Sequence, residues 1–273
     1  MFEEIKSFDI DFFDEVSSEM STNVVSIIQD YAVTVVLYYL YKNGMIDNLV
    51  FKGGTAIKKI YFPDARFSVD LDFDCKYKLD DPTRYGLEFE AKLKSLVDAV
   101  LGSAYIYEVE RIETSSWLFF NVKYRVFDYD ELTRIDIDYG PSGTNYLQKR
   151  VFAKPYVEEE FSVDVYPIET ILEQKVVSLI DRNTAKDLWD IYFLYAIKNV
   201  RPTRPIKSIV DEYNRESKIK YDLKKALFVV EEIVSERDFM ILSEIYIPTD
   251  LRCDFATVVR EVKEFFSEYW NFY

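Results

Sequence analysis

Apolar residues are dense over residues 22–46, where the spacing predicts a helix with Ser21 or Thr22 placed to cap it and Gly44 near its end. Its richest stretch, Tyr31–Tyr41, is short for a membrane span and reads as a buried helix. A brief apolar run, Leu49–Phe51, leads into Lys52-Gly53-Gly54. Ala56, Ile57, Ile60 and Tyr61 then recur at helical spacing until Pro63 stops the pattern. Between Phe67 and Tyr77 the period becomes two. Val69, Leu71, Phe73 and Cys75 share one face of the predicted strand, and Ser68, Asp70, Asp72 and Asp74 share the other. A helix over 86–101, ended near Gly102, precedes strands over 116–127 and 132–139 joined by a short Asp-rich turn. These elements predict a mixed sheet with helices packed on it.

From Pro167 the period is helical throughout, with helices predicted over 168–182, 184–199, 205–215, 222–236, 238–245 and 254–270. The change of pattern near 160–167 predicts an α+β chain with an α/β domain over 1–165 and a helical domain over 166–273.

Composition narrows the chemistry. The 273 residues include no histidine, which removes His-based nucleophilic triads, imidazole acid–base catalysis and His-ligated zinc. Two cysteines, Cys75 and Cys253, are too few for a structural zinc site and fit a reduced cytoplasmic protein. The acidic start MFEEIKSFDIDFFDE is unlike a secretory signal, so a soluble intracellular chain without membrane contact is expected. A net charge of −15 opposes general affinity for nucleic acid. Charge is uneven, however: Arg182–Lys225 holds eleven Lys/Arg against six Asp/Glu, either a solvated helical surface or a landing site for an anionic substrate.

Residues two apart on a strand point the same way, so Asp70 and Asp72 project together. Paired carboxylates repel unless a cation neutralises them, and hard oxygen donors suit magnesium. On the strand 132–139, Ile135 and Ile137 mark the apolar face and leave Asp136 and Asp138 on the other. An adjacent antiparallel strand would bring Asp136, or Asp138 in its place, beside the first pair, as in a two-metal phosphoryl-transfer site. An acidic strand is also the ordinary look of a solvated sheet edge. Just upstream, Lys52-Gly53-Gly54-Thr55 opens a helix, where glycines admit an anion close to the backbone and Thr55 adds a hydroxyl. Arg66 and Ser68 share the parity of the two acids, giving one face a cation, a hydroxyl and two carboxylates suited to a metal-bound triphosphate. Lys175 lies on the apolar stripe of its helix and must either snorkel outward or meet an anion. Thr184 and Asp187 form a capping-box arrangement at the start of the next helix.

Together FKGGTAIKKIY (51–61), RFSVDLDFD (66–74), ILEQKVVSLIDR (171–182) and AKDLWDIYFL (185–194) resemble the AbiEii/AbiGii toxin family of nucleotidyltransferases, within the DNA polymerase β-like superfamily. The resemblance spans about residues 50–195. It implies a nucleotidyltransferase-like mixed sheet followed by a helical domain. The implied activity moves a nucleotide from an NTP to an acceptor hydroxyl, with pyrophosphate leaving and Mg2+ as cofactor. Gly53, Gly54 and Thr55 or Ser68 would hold phosphates, Asp70 and Asp72 the magnesium, and Lys175 and Asp187 would be a phosphate-binding lysine and an active-site aspartate. The third carboxylate, Asp136, is weakly specified in that family. Implied partners are an RNA (such as tRNA) or protein acceptor and a cognate antitoxin of a toxin–antitoxin or phage-defence system. Two other readings use the same residues. A glycosyltransferase with an Asp-x-Asp strand would need a Rossmann-like parallel sheet ahead of it, where only about 70 residues stand. A non-catalytic nucleotide-binding module would keep the fold without the reaction.

Overall fold

A computed structural model describes residues 3–114, 116–141 and 145–272, which divide into two compact units, Met1–Tyr166 and Pro167–Tyr273. The fold is α+β.

In the first unit, α1 (Ile10–Glu19) starts where Asp9 accepts from the Phe12 N–H, and α2 (Val24–Lys42) starts where Asn23 accepts from Ser26 at 2.8 Å. Asn23 therefore takes the cap expected of Ser21 or Thr22. Every residue of α2 from Ser26 to Leu40 is buried, so it is apolar all round, as a core helix must be. By length and composition α2 could cross a membrane, but 83% of its apolar stretch is buried inside the unit. It packs against α1 and two strands of the sheet described next.

The chain continues through β1 (Leu49–Lys52), α3 (Gly53–Ala56, widening into a π-turn over Ile57–Tyr61), β2 (Asp70–Cys75) and α4 (Pro82–Lys94). Then follow β3 (Val100–Leu101), β4 (Ala104–Glu113), β5 (Trp117–Val126), β6 (Tyr129–Pro141), β7 (Leu147–Arg150) and β8 (Ser162–Val165). They form one mixed sheet in the order β3-β4-β5-β6-β2-β1-β8-β7. β1 runs antiparallel to β2 and parallel to β8, while β4, β5 and β6 make an antiparallel meander.

The structure corrects two expectations, a strand direction and the bounds of a helix. β6 lies beside β2 but parallel to it, with Asp72 level with Asp136, Asp70 with Arg134 and Asp74 with Asp138. The chain returns by way of α4 and the β3–β5 strands, the long crossover that a parallel pair requires. Strand direction does not alter side-chain parity, so the acids still share a face. The predicted helix over 86–101 is displaced: Asp81 caps α4 and Pro82 opens it, and the segment past Lys94 turns into β3.

The second unit is helical: α5 (Ile168–Arg182), α6 (Ala185–Tyr192, with a π-turn over Phe193–Ile197), α7 (Ile206–Glu216), α8 (Leu223–Phe228, with a π-turn over Val229–Ile233), α9 (Glu236–Tyr246) and α10 (Phe255–Tyr269). Thr184, Asp222, Ser235 and Asp254 each cap the helix they precede. α10 packs on α6, α8 and α9, burying Phe265 and Phe266, and Trp189 of α6 is buried near Phe239. Buried Glu173 accepts from Thr203 N–H at 2.9 Å and from Arg204 Nε at 3.0 Å, tying α5 to the segment before α7.

Candidate active site

The Gly-Gly turn sits where β1 gives way to α3. Gly53 has φ +79, in the left-handed region. A Cβ there would overlap the Asp72 carboxylate and stand 2.8 Å from its Cγ. At Gly54 a Cβ would lie 2.9 Å from Arg66 Nη2 and 2.9 Å from Ser68 Oγ. The turn is therefore packed directly on the acidic strand and on the cation and hydroxyl that precede it. Gly53→Ala should accordingly lower stability by about 2 kcal/mol, from the positive φ together with displacement of Asp72. Urea denaturation measures this, and an unchanged midpoint would refute the close packing.

Neighbouring contacts fix the turn. The Thr55 hydroxyl donates to the Asp70 carbonyl, and Lys59 reaches Asp30 of the core helix at 2.7 Å, both side chains buried. Thr55 thus ties the turn to β2, and Ser68 is the hydroxyl beside Gly54. Lys52 pairs with an acid of β2. The antiparallel register sets it level with Asp72, but its ammonium binds Asp74, whose other oxygen accepts from the Tyr166 hydroxyl at 2.7 Å.

Asp70 and Asp72 are half-buried on β2. Asp136, level with Asp72, is buried and held by both arms of Arg134, through Nε and, at 2.7 Å, through Nη2. Burial pushes the Asp136 carboxyl up, and Arg134 only partly offsets this. Arg134 is in turn held protonated chiefly by its bond to Asp136, with further attraction from Asp70 and Asp72. Asp138 stands level with Asp74 and accepts from the Gly140 N–H at 2.8 Å, so Asp136 is the acid aligned with the pair.

Asp136, expected as a third carboxylate beside Asp70 and Asp72, is bound by Arg134. Among the described residues no group of three acid or cysteine side chains is gathered as a metal cage. The reason is Arg134, a cation on the same face that satisfies Asp136 and that the sequence pattern did not single out. Two hard carboxylates remain, Asp70 and Asp72, one of them against the Gly-Gly turn. That donor set fits magnesium, which commonly takes one or two carboxylates and completes its octahedron with phosphate oxygens and water.

In the second unit Lys175 does not snorkel. Buried on α5, it meets Asp187 at 2.9 Å and Asp190 at 2.8 Å, both buried on α6. Thr184 Oγ1 donates to Asp187 Oδ2 at 2.7 Å and accepts from the Asp187 N–H at 3.2 Å, completing the capping arrangement. Burial alone would raise the Asp187 carboxyl. The charges of Lys175 and Arg182 and the bonds from Thr184 and Lys175 outweigh it and hold the group at about 2.

Solved structures share this architecture. JHP933 from Helicobacter pylori superposes with a TM-score of 0.53 at 17% identity, over 91% of this chain and 93% of that one. MenT4, a nucleotidyltransferase toxin from Mycobacterium tuberculosis H37Rv, superposes with a TM-score of 0.56 at 16% identity, over 97% of this chain and 100% of that one. The fold is that of the nucleotidyltransferases. At the level of sequence, the profile of the family described as nucleotidyl transferase AbiEii toxin, Type IV TA system, matches residues 35–264. The chain belongs to the AbiEii family: it is a nucleotidyltransferase toxin of a toxin–antitoxin system, with an NTP as substrate. A search of curated proteins gave no significant match.

Proposed function

We propose that the face of β2 and β6 beside the Gly-Gly turn is the site of transfer from a magnesium-bound NTP to an acceptor hydroxyl of RNA, such as tRNA, or of a protein, in the cytoplasm. The single observation that carries this reading is the packing of the Asp72 carboxylate against Gly53, with Asp70 two residues away on the same strand face. Gly53 and Gly54 offer backbone to the phosphates at closest approach, and Arg66 and Ser68 stand beside them. Asp70 and Asp72 would hold the magnesium, which lowers the cost of charge developing on the phosphoryl oxygens.

In the step itself the acceptor oxygen bonds to the α-phosphorus, the bond to pyrophosphate breaks, and the hydroxyl proton is lost. Asp136, its carboxyl raised by burial, is level with Asp72 on the neighbouring strand and is the residue we assign to receive that proton. Lys175 and Asp187 retain the active-site roles the resemblance gives them as part of this proposal. The glycosyltransferase reading finds no support in the sheet, because among the described residues the one strand ahead of β2, β1, runs antiparallel to it and makes no Rossmann unit.

The test uses each of the four α-labelled NTPs with total RNA and with total protein. Label should enter one of these fractions with magnesium and stay out after chelation. Turnover of UDP-sugars with no NTP transfer would overturn the assignment.

A further inference from the structure

β5 carries two aromatic side chains that core packing does not account for. Leu118, Phe120, Val122 and Tyr124 are buried and supply its core face, whereas Trp117 and Phe119 are half-buried on the opposite one. That opposite face is the acidic one: Trp117 is level with Asp138 and Phe119 with Asp136. The two ring planes are parallel within 2°, with centroids 6.1 Å apart. Each ring also bears a cation. The Lys52 ammonium lies 5.1 Å from the Trp117 ring, and the Arg134 guanidinium lies 4.3 Å from the Phe119 ring. Aromatic faces interleaved with cations are how proteins hold unpaired bases, since every base has a face to stack while arginine and lysine attend the backbone.

Position decides which base. Strand order runs β5-β6-β2-β1, so the Gly-Gly turn at the end of β1 and the aromatic pair on β5 lie on opposite sides of the β2–β6 acids. In an in-line displacement the attacking oxygen and the leaving pyrophosphate occupy opposite sides of the phosphorus. With the phosphates on the turn, the attacking group comes from the side of β5. We propose that Trp117, Phe119 and Arg134 form a stacking subsite for the unpaired nucleobase next to the attacking ribose hydroxyl of a nucleic-acid acceptor. This rests on the transfer reading above and narrows its acceptor class.

Trp189 and Trp270 are buried, so Trp117 is the tryptophan placed to report on the subsite. A short single-stranded oligoribonucleotide with a free 3′ hydroxyl, added without NTP, should quench wild-type emission. Phe119→Leu should weaken that binding and raise the acceptor KM about tenfold or more, leaving the KM for NTP in place. Phe119→Tyr, which restores an aromatic face, should restore both and shows that the strand still folds. Absence of quenching by the oligoribonucleotide, equal quenching by NTP alone, or equal acceptor KM for the Leu and Tyr variants would each overturn the subsite. Loss of transfer in Asp70→Asn alongside normal acceptor KM in Phe119→Leu overturns the subsite alone. Undiminished transfer in Asp70→Asn overturns the reading beneath it.

Discussion

Asp70→Asn is expected to slow nucleotide transfer about a thousandfold or more while the chain remains folded. Removing one carboxylate from a metal-bound phosphoryl site forfeits several kcal/mol of transition-state stabilisation, about 4 kcal/mol of which is three decades in rate. The fold should not suffer, because Asp70 is half-buried on a face already crowded with acid, and asparagine has nearly its shape. Thinning the negative charge around Arg134 leaves its bond to Asp136 intact. Rates of label transfer and a thermal melt on the same preparation make the check. A fall of less than tenfold with an unchanged melt would take Asp70 out of the chemistry.

A second large effect is expected in the helical unit, and it falls on stability. Lys175→Met removes the cation shared by two buried carboxylates and leaves Asp187 to Arg182 and the Thr184 hydroxyl, with Asp190 losing the partner 2.8 Å away. Breaking a buried pair from one side costs about 3–5 kcal/mol. The pH dependence carries the signature. In the wild type the Asp187 carboxyl is depressed to about 2, so its contribution, about 2 kcal/mol, is fully present above the unfolded value near 4 and fades as pH falls toward 2. In the variant, the charge and the hydrogen bond of Lys175 no longer oppose burial, and the carboxyl rises. The gap between the two proteins should therefore be widest near neutral pH and narrow in acid. Denaturant titrations at pH 7 and pH 4 measure it. A loss below 1 kcal/mol at pH 7 would mean the cluster does not hold α5 against α6.

The helical unit was the most legible part of the sequence, and the reason is local. Thr184, Asp222 and Asp254 stand at the starts of predicted helices, while Ser235 falls inside the predicted helix over 222–236, which ends at Ile233 in the structure. The sheet was harder. β4 alternates, but an irregularity between Ile106 and Glu108 shifts its parity and hides the period. β7 is an edge strand reading Leu-Gln-Lys-Arg, mostly exposed, with no apolar face to detect. β8 is four residues long. The start of α1, capped by Asp9, carries acids among its apolar residues, which masks its helical period. In the site, the parity of Asp70, Asp72 and Asp136 could be read from alternation alone. Their neighbours could not: that Arg134 claims Asp136, and that Lys52 turns to Asp74, depends on strand register, which only the folded sheet supplies. The partners of Lys175 were within reach, since Asp187 and Asp190 share one face of the following helix one turn apart.

The place of β1 has a bearing on how this protein comes to be made. It is the inner strand between β2 and β8, and Leu49, Val50 and Phe51 are all buried. A ribosome that stalls after Gly140 has already produced Asp70, Asp72 and Asp136, yet has not produced the strand that closes the other side of β1. The unfinished polypeptide would present a bare, greasy hydrogen-bonding edge right beside the Gly-Gly turn. Such a product is a candidate for chaperones and proteases.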